Sequence, residues 1–214
     1  MRKVIVTTNV TLDGVMQAPG RADEDTRGGF SSGGWALRYD DQVKAAAMGR
    51  GMAESGAMLL GRRTYEDFYR VWPHRRDNPF TPYLNGVQKY VASNTLADPL
   101  PWQNSTLLHG DAADAVTALK RQPGGDLAVI GSGELAASLA RRSLVDEYVL
   151  LIHPLVLGSG RRLFPDGALP AYLRLADSLT TSTGVIIATY QALATGDAHE
   201  PAGGPSTPSV ERRD

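Results

Sequence analysis

Along this chain, short apolar runs alternate with segments whose apolar residues recur at helical spacing. Lys3 to Val10 (KVIVTTNV) is rich in β-branched residues and reads as a first, central strand. Ala57 to Leu60 is a continuous apolar run of the kind that fills a buried parallel strand. Gly61 breaks that run, and from Thr64 onward Tyr65, Phe68, Tyr69 and Trp72 follow a helical period. The succession of strand, glycine turn and helix recurs at Asp126 to Ile130, Gly131-Ser132-Gly133 and Glu134 to Arg142. Between these units, Lys89 to Ala92 and Ser105 to Leu108 read as strands, and Ala112 to Arg121 as a helix with Asp111 as its N-cap. Asp40 to Glu54 predicts a moderately amphipathic helix with Val43, Ala46, Ala47 and Met52 inward, against the helix-weakening Gly49 and Gly51. After Trp72 the stretch PHRRDNPFTPYLNG reads as irregular. Glu147 to Leu155 is a long strand, and Tyr172 to Ser182 with Gly184 to Leu193 reads as a terminal antiparallel hairpin turning at Gly184.

This order predicts an α/β sandwich around a mostly parallel sheet with an antiparallel C-terminal edge. It gives one domain over residues 1–194. From Thr195 the sequence turns to Gly, Pro, Ser and charge, which predicts a disordered tail over 195–214. Gly20 to Trp35, containing Gly28-Gly29 and Gly33-Gly34, is long for a connection inside one domain and reads as a lid or binding loop.

Composition narrows the function classes. Of the 214 residues, 42% are hydrophobic, enough for a packed core, and the net charge of −1 gives no general electrostatic reason to bind nucleic acid or a membrane. The chain has no cysteine, which removes disulfides, thiolate nucleophiles and cysteine–zinc sites together. His74, His109, His153 and His199 are scattered without metal-ligand spacing, so no metal is expected and each reads as structural or exposed. The Arg141-Arg142 and Arg161-Arg162 pairs read as solvated faces. No stretch is apolar enough to span a bilayer, and the Met1-Arg2-Lys3 start lacks a signal-peptide core, so a soluble cytoplasmic protein is expected.

The candidate chemistry lies at the two glycine turns. A helix N-terminus directs free backbone N–H groups and the positive end of its dipole at an anion. Arg62 and Arg63 would add planar guanidinium ligands at the first turn; the alternative is an ordinary strand-to-helix junction with solvated arginines. The second turn, Gly131-Ser132-Gly133-Glu134-Leu135-Ala136, satisfies G-x-G-x-x-A after a strand and before a helix. A Rossmann dehydrogenase would carry that motif in its first βαβ unit, whereas here only one strand and a hairpin remain. Two such turns at the carboxyl ends of two strands could instead grip opposite ends of one nucleotide.

Taken in order, Thr11-Leu12-Asp13-Gly14, Gly33-Gly34-Trp35, Leu60-Gly61-Arg62-Arg63-Thr64-Tyr65, Ser93-Asn94-Thr95-Leu96, Ile130-Gly131-Ser132-Gly133-Glu134-Leu135, Leu144-Val145-Asp146-Glu147-Tyr148 and Pro154-Leu155-Val156-Leu157-Gly158-Ser159-Gly160 resemble a family. It is that of the bacterial dihydrofolate-reductase-like proteins related to the reductase (RibD C-terminal) domain of riboflavin biosynthesis. The resemblance implies a dihydrofolate-reductase-like three-layer sandwich with NADPH across the strand ends. It places Gly61, Arg62, Arg63 and Thr64 at the adenosine 2′-phosphate with Ser93 and Asn94 nearby, and Gly131, Ser132, Gly133 and Glu134 at the pyrophosphate. Read alone, Ser93 and Asn94 make a capped strand end.

On the substrate side the resemblance makes Asp40, five residues after Trp35, a pterin-type acid, buried near an apolar ring; its plain reading is a helix N-cap. Asp13 is a second catalytic candidate if it faces the same cleft, or a turn aspartate bonded to local amides. Trp35 would bind substrate by walling the nicotinamide pocket, or pack in the core. The segment Asn78 to Asn85 is more apolar than a clamp for a phosphorylated pyrimidine requires. The expected activity is hydride transfer to a small, heteroaromatic molecule by a homodimer; the competing expectation is a nucleotide sensor that keeps the cofactor cleft without turnover.

Overall fold

The structure, a computed structural model, describes residues 1–193, so the expected domain boundary at 194 and the tail 195–214 lie outside the described residues. Eight strands form one sheet: β1 (Val4–Thr11), β2 (Ser55–Gly61), β3 (Gln88–Ala92), β4 (Ser105–Leu108), β5 (Asp126–Ile130), β6 (Glu147–His153), β7 (Leu173–Thr180) and β8 (Ile186–Ala192). Their spatial order is β4-β3-β2-β5-β1-β6-β8-β7. Pairing is parallel from β4 to β6 and antiparallel for β6–β8 and β8–β7. β1 is central, between β5 and β6, as its β-branched run predicts.

Five helices cover the sheet: α1 (Gln42–Glu54), α2 (Arg62–Val71), α3 (Thr81–Gly86), α4 (Ala112–Lys120) and α5 (Gly133–Arg141). Side-chain alternation along β2 assigns the layers. Ala57 and Leu59 pack with Val116 and Leu119 of α4 and Leu135 and Leu139 of α5. Met58 and Leu60 face the other way, onto Tyr65 of α2, Leu84 of α3 and Trp102. The result is a three-layer sandwich.

Two readings of the pattern change. Residues 81–86, within the stretch read as irregular, form α3; Pro82 in its first turn leaves no helical donor missing, and Thr81 and Leu84 are buried. In α1 the inward face is turned. Lys44 is buried and Ala47, Met48 and Met52 pack inward, whereas Val43 and Ala46 are exposed. The helix is so rich in small residues that its apolar stripe is weakly defined, and the N-cap decides its start. That cap is Asp41, which accepts from Lys44 N at 2.7 Å and from Ser182 N and Oγ at 2.7 and 2.6 Å.

The glycine-rich segment is folded rather than open. Gly34 N donates to Ala18 O (2.8 Å) and Ala36 N to Pro19 O (3.1 Å), closing its neck. A Cβ on Gly33 would lie 2.7 Å from the carbonyl oxygens of Arg21 and Ala22, so only glycine permits that closure. Arg21 binds Asp67 of α2 at 2.5 Å, tying the segment to that helix, and Arg70 of the same helix shares the carboxylate at 2.8 Å.

Candidate active site

A cleft of about 1650 Å³ runs over the carboxyl ends of the central strands and between α1 and α2. Its position follows from topology: the glycine turns after β2 and β5 lie side by side because those strands are neighbours. Ser132 joins them. Its Oγ accepts from Gly61 N (3.0 Å) and its own N–H donates to Thr64 Oγ1 (3.2 Å). Gly131 and Ser132 both take left-handed backbone angles, with φ of 59° and 49°, and no side chain caps the first turn of α5 or of α2. Two helix N-termini with uncapped N–H groups therefore open into one cleft, the arrangement that suits an extended anion such as a dinucleotide.

All ten residues expected at the cofactor line this cleft: Gly61, Arg62, Arg63, Thr64, Ser93, Asn94, Gly131, Ser132, Gly133 and Glu134. Several also hold local structure. Ser93 Oγ accepts from Thr95 N and Leu96 N, both at 3.1 Å, and Asn94 Oδ1 accepts from Gly110 N at 3.1 Å, so the capped-strand-end reading holds for both. Arg62 reaches Glu66 at 3.4 Å; both side chains are more than 40% exposed. The Glu134 carboxylate is ringed by Arg63 (3.2 Å), Arg161 (3.0 Å) and Arg27 (3.5 Å). Exposed pairs like these contribute about 0–1 kcal/mol, so an incoming phosphate can recruit these guanidiniums at little cost.

The expected acids and tryptophan part company. Asp40 lines the cleft, but its expected burial against an apolar ring is not found: the side chain is 60% exposed and pairs with Lys44 at 2.8 Å. Nor is it the N-cap, a position held by Asp41. Asp13 does not line the cleft. Its oxygens accept from Leu157 N (3.2 Å), Gly158 N (2.8 Å) and Thr11 Oγ1 (2.5 Å), and these hydrogen bonds, the Thr11 one foremost, hold its carboxyl below the usual carboxylate range. Its geometry is that of a turn clip. Trp35 also stays behind the surface, packed among Val15, Ala18 and Phe30 with its indole N–H on Gln17 O at 2.7 Å.

Three features had no clear sequence signal. Gln17, buried, donates to the carbonyls of Asp25 (3.0 Å) and Arg27 (2.9 Å) and accepts from Arg161 N (2.9 Å), so one side chain ties residues 25–27 to residue 161 at the rim. Arg161 and Arg162, read as solvated, bind Glu134 and, through Nε, Asp13 O at 2.9 Å. His153 is fully buried, edge-on to Trp35 and Tyr39 with centroids 5.1 and 5.3 Å away. Desolvation first, then the Lys44 charge, pushes its pKa down to about 4 against the opposing Asp40. The unfolded chain therefore binds the extra proton between pH 6.5 and 4. Stability is full above about pH 6.5 and falls by roughly 3 kcal/mol toward pH 4. Urea unfolding across that range should show this slope, and His153→Phe should flatten it.

Beyond the two turns, the same cleft has a more apolar part to its lining. That part of the lining includes Thr7 and Asn9 of β1, Met48 and Met52 of α1, and the Phe68, Trp72, Phe80 and Leu84 cluster with which Met52 packs, together with Asp40 and Lys44. Among the described residues no group of three or more His, Asp or Glu side chains could hold a metal ion.

The model of the RibD C-terminal domain matches residues 2–187. The chain belongs to the RibD C-terminal domain family. The uncharacterized protein YyaP of Bacillus subtilis is 26% identical over 195 residues, covering 88% of this chain and 94% of that protein. Among solved structures, a protein assigned to riboflavin biosynthesis from Shewanella sp. PV-4 superposes with a TM-score of 0.63 at 20% identity over 90% of this chain and 99% of that one. A pyrimidine reductase-like protein of Corynebacterium diphtheriae gives 0.59 at 12% identity, over 90% and 92% of the two chains. At these identities the superpositions establish the fold: a RibD-type, dihydrofolate-reductase-like α/β sandwich. Membership of the family supports a reductase-like role.

Proposed function

We propose that this protein is an NADPH-dependent reductase that transfers hydride to a small heteroaromatic molecule of pterin or pyrimidine type. The observation that carries the reading is the joining, through Ser132, of two uncapped helix N-termini over one cleft whose lining also includes Met48, Met52, Phe68 and Trp72. A sensor that bound only a nucleotide would not need that apolar lining. In this reading the N–H groups at Gly133 and Glu134 hold the pyrophosphate, and Arg62, Arg63 and Thr64 hold the 2′-phosphate, where a cation rather than an acid is required. NADPH supplies the hydride when bound. The protein's own residues orient the acceptor between Met48 and Trp72 and exclude water from it. Asp40, steadied by Lys44, is the carboxylate available to anchor the substrate or pass it a proton; Asp13 contributes by holding the 157–158 turn.

The test is titration of the protein with NADPH and NADH, followed by tryptophan quenching. Tight binding of NADPH with NADH at least tenfold weaker is expected. Binding of neither would remove the reading.

Two further parts of the proposal concern context. A homodimer is supported by the edge strand β7, which carries the exposed Leu175 and Leu179; a monomer in light scattering would exclude it. Cytoplasmic location fits a chain that has no cysteine and, among the described residues, no helix long and apolar enough to cross a membrane.

A further inference from the structure

The lining of the cleft includes one polar side chain whose direction is fixed from behind. Asn9, on β1 opposite Leu151 of β6, lines the cleft, and its Oδ1 lies 2.9 Å from Nε2 of the buried His153. A side-chain amide can meet an imidazole either way round, so the proton positions follow from what the other atoms can do. His153 Nδ1 is buried without a partner. If the Asn9 NH2 donated to Nε2, a neutral ring would carry its proton on Nδ1, leaving an N–H donor buried and unpaired. If Nε2–H donates to Oδ1, Nδ1 is only an unfilled acceptor, which folded proteins tolerate more readily. The doubly protonated ring is excluded because its desolvated site disfavours the charge. Trp35 and Tyr39 clamp the imidazole edge-on, so the ring cannot swing away. Oδ1 therefore faces the core, and Nδ2, with no protein partner among the described residues, is the atom left to the cleft.

We propose that Asn9 is a specificity-determining residue whose NH2 group, turned into the cleft by His153, seats a hydrogen-bond acceptor of the molecule reduced, a ring carbonyl or ring nitrogen. His153 is then a positioning residue that never touches substrate. The inference rests on the reductase reading and narrows its substrate class. Such a site selects rings with an acceptor on the edge that meets β1, in a cleft whose lining also includes Met48, Met52, Phe68 and Trp72. An all-hydrocarbon ring of the same size would leave the NH2 unpaired, the kind of mismatch that lets a polar site reject an analogue.

The test uses lumazine, a bicyclic dione, as the probe for the protein saturated with NADP⁺. Its dissociation constant is measured for the parent, Asn9→Leu, Asn9→Asp and His153→Phe. Asn9→Leu keeps the shape without the donor, and Asn9→Asp turns the donor into an acceptor; each should weaken lumazine at least tenfold. His153→Phe keeps the aromatic packing but frees the amide to rotate, and should weaken it about threefold or more. NADP⁺ affinity should stay within twofold in all three. A separate ¹⁵N-histidine NMR measurement at pH 7.5 should find His153 protonated on Nε2 alone; protonation on Nδ1 overturns the proposal. So does lumazine binding that is unchanged in Asn9→Leu, or absent in a parent that still binds NADP⁺. Loss of the dinucleotide itself in the parent would instead overturn the cofactor reading, and this inference with it.

Discussion

Gly56→Ala is expected to lower the unfolding free energy by about 3 kcal/mol, which for a chain of this size is roughly 6–12 °C in melting temperature. Gly56 and Gly125 face each other where β2 and β5 begin to pair, at the irregularity between Ser55 and Ala57. A Cβ on Gly56 would lie 2.5 Å from Gly125 Cα and 2.6 Å from its carbonyl carbon. These are backbone atoms, which cannot rotate out of the way as a side-chain terminus could. The overlap must be relieved by sliding one strand start against the other. The effect should reach function, because the same two strands end in Gly61 and in Gly131 to Gly133. A displaced pairing moves Gly61 N away from Ser132 Oγ and separates the two turns. Gly51→Ala is the contrast: it lies inside α1 with open space around it, so it should be neutral or stabilise by about 0.5–1 kcal/mol. Thermal melts of both variants decide the matter. A Gly56→Ala protein melting within about 1 °C of the parent would show that the strand pair yields more easily than its geometry implies.

The fold was legible because its signals are local. Apolar runs such as Ala57 to Leu60 and Leu127 to Ile130 read as buried strands, and both end in a glycine turn that leads into a helix. The pattern was weakest where it was nearly uniform. In α1, alanines, glycines and methionines share several faces, and the inward stripe was set by the Asp41 cap and by Lys44 lying along the cleft. α3 was invisible for a related reason, since six residues with a proline and an asparagine carry too little periodicity to outweigh turn chemistry.

The two glycine turns of the candidate site were legible, and the rest of its lining was obscure. Backbone anion sites need glycines and a helix start, and both leave a trace in sequence. The roles of Gln17, Arg27 and Arg161 depend on loops that meet only after folding: Arg161 is 144 residues from Gln17, and Glu134 107 from Arg27. Asp13 and Trp35 carried the right residue types at the right spacing, yet their polar atoms are spent on Gly158 N and on Gln17 O. Spacing cannot show which partner a side chain finds first. Asn9 did leave a clue: a lone amide in an otherwise β-branched strand, where the floor of a cleft interrupts the core.

Replacing both Arg62 and Arg63 with alanine should weaken NADPH by about 100-fold and NADH by less than threefold. A hydrogen bond to a charged group contributes about 1.5–3 kcal/mol, and each arginine must first give up an exposed carboxylate, Glu66 or Glu134, worth about 0–1 kcal/mol. The net of roughly 1–2 kcal/mol each, lost twice, gives the hundredfold change. NADH should be spared because the pyrophosphate contacts assigned to α5 do not depend on these side chains. Glu134 keeps Arg27 and Arg161 after Arg63 is gone, and Ser132 still bridges Gly61 and Thr64. Salt gives an independent reading, since a contact between exposed charges is screened over about 8–10 Å at 0.1–0.15 M. NADPH affinity in the parent should therefore fall with added salt more steeply than in the double variant. Arg63→Lys separates charge from shape: it keeps the cation but not the planar fork, and should recover only part of the loss. Equal weakening of NADPH and NADH would mean that the arginines meet the pyrophosphate instead, and the 2′-phosphate would have to be sought nearer Ser93 and Asn94.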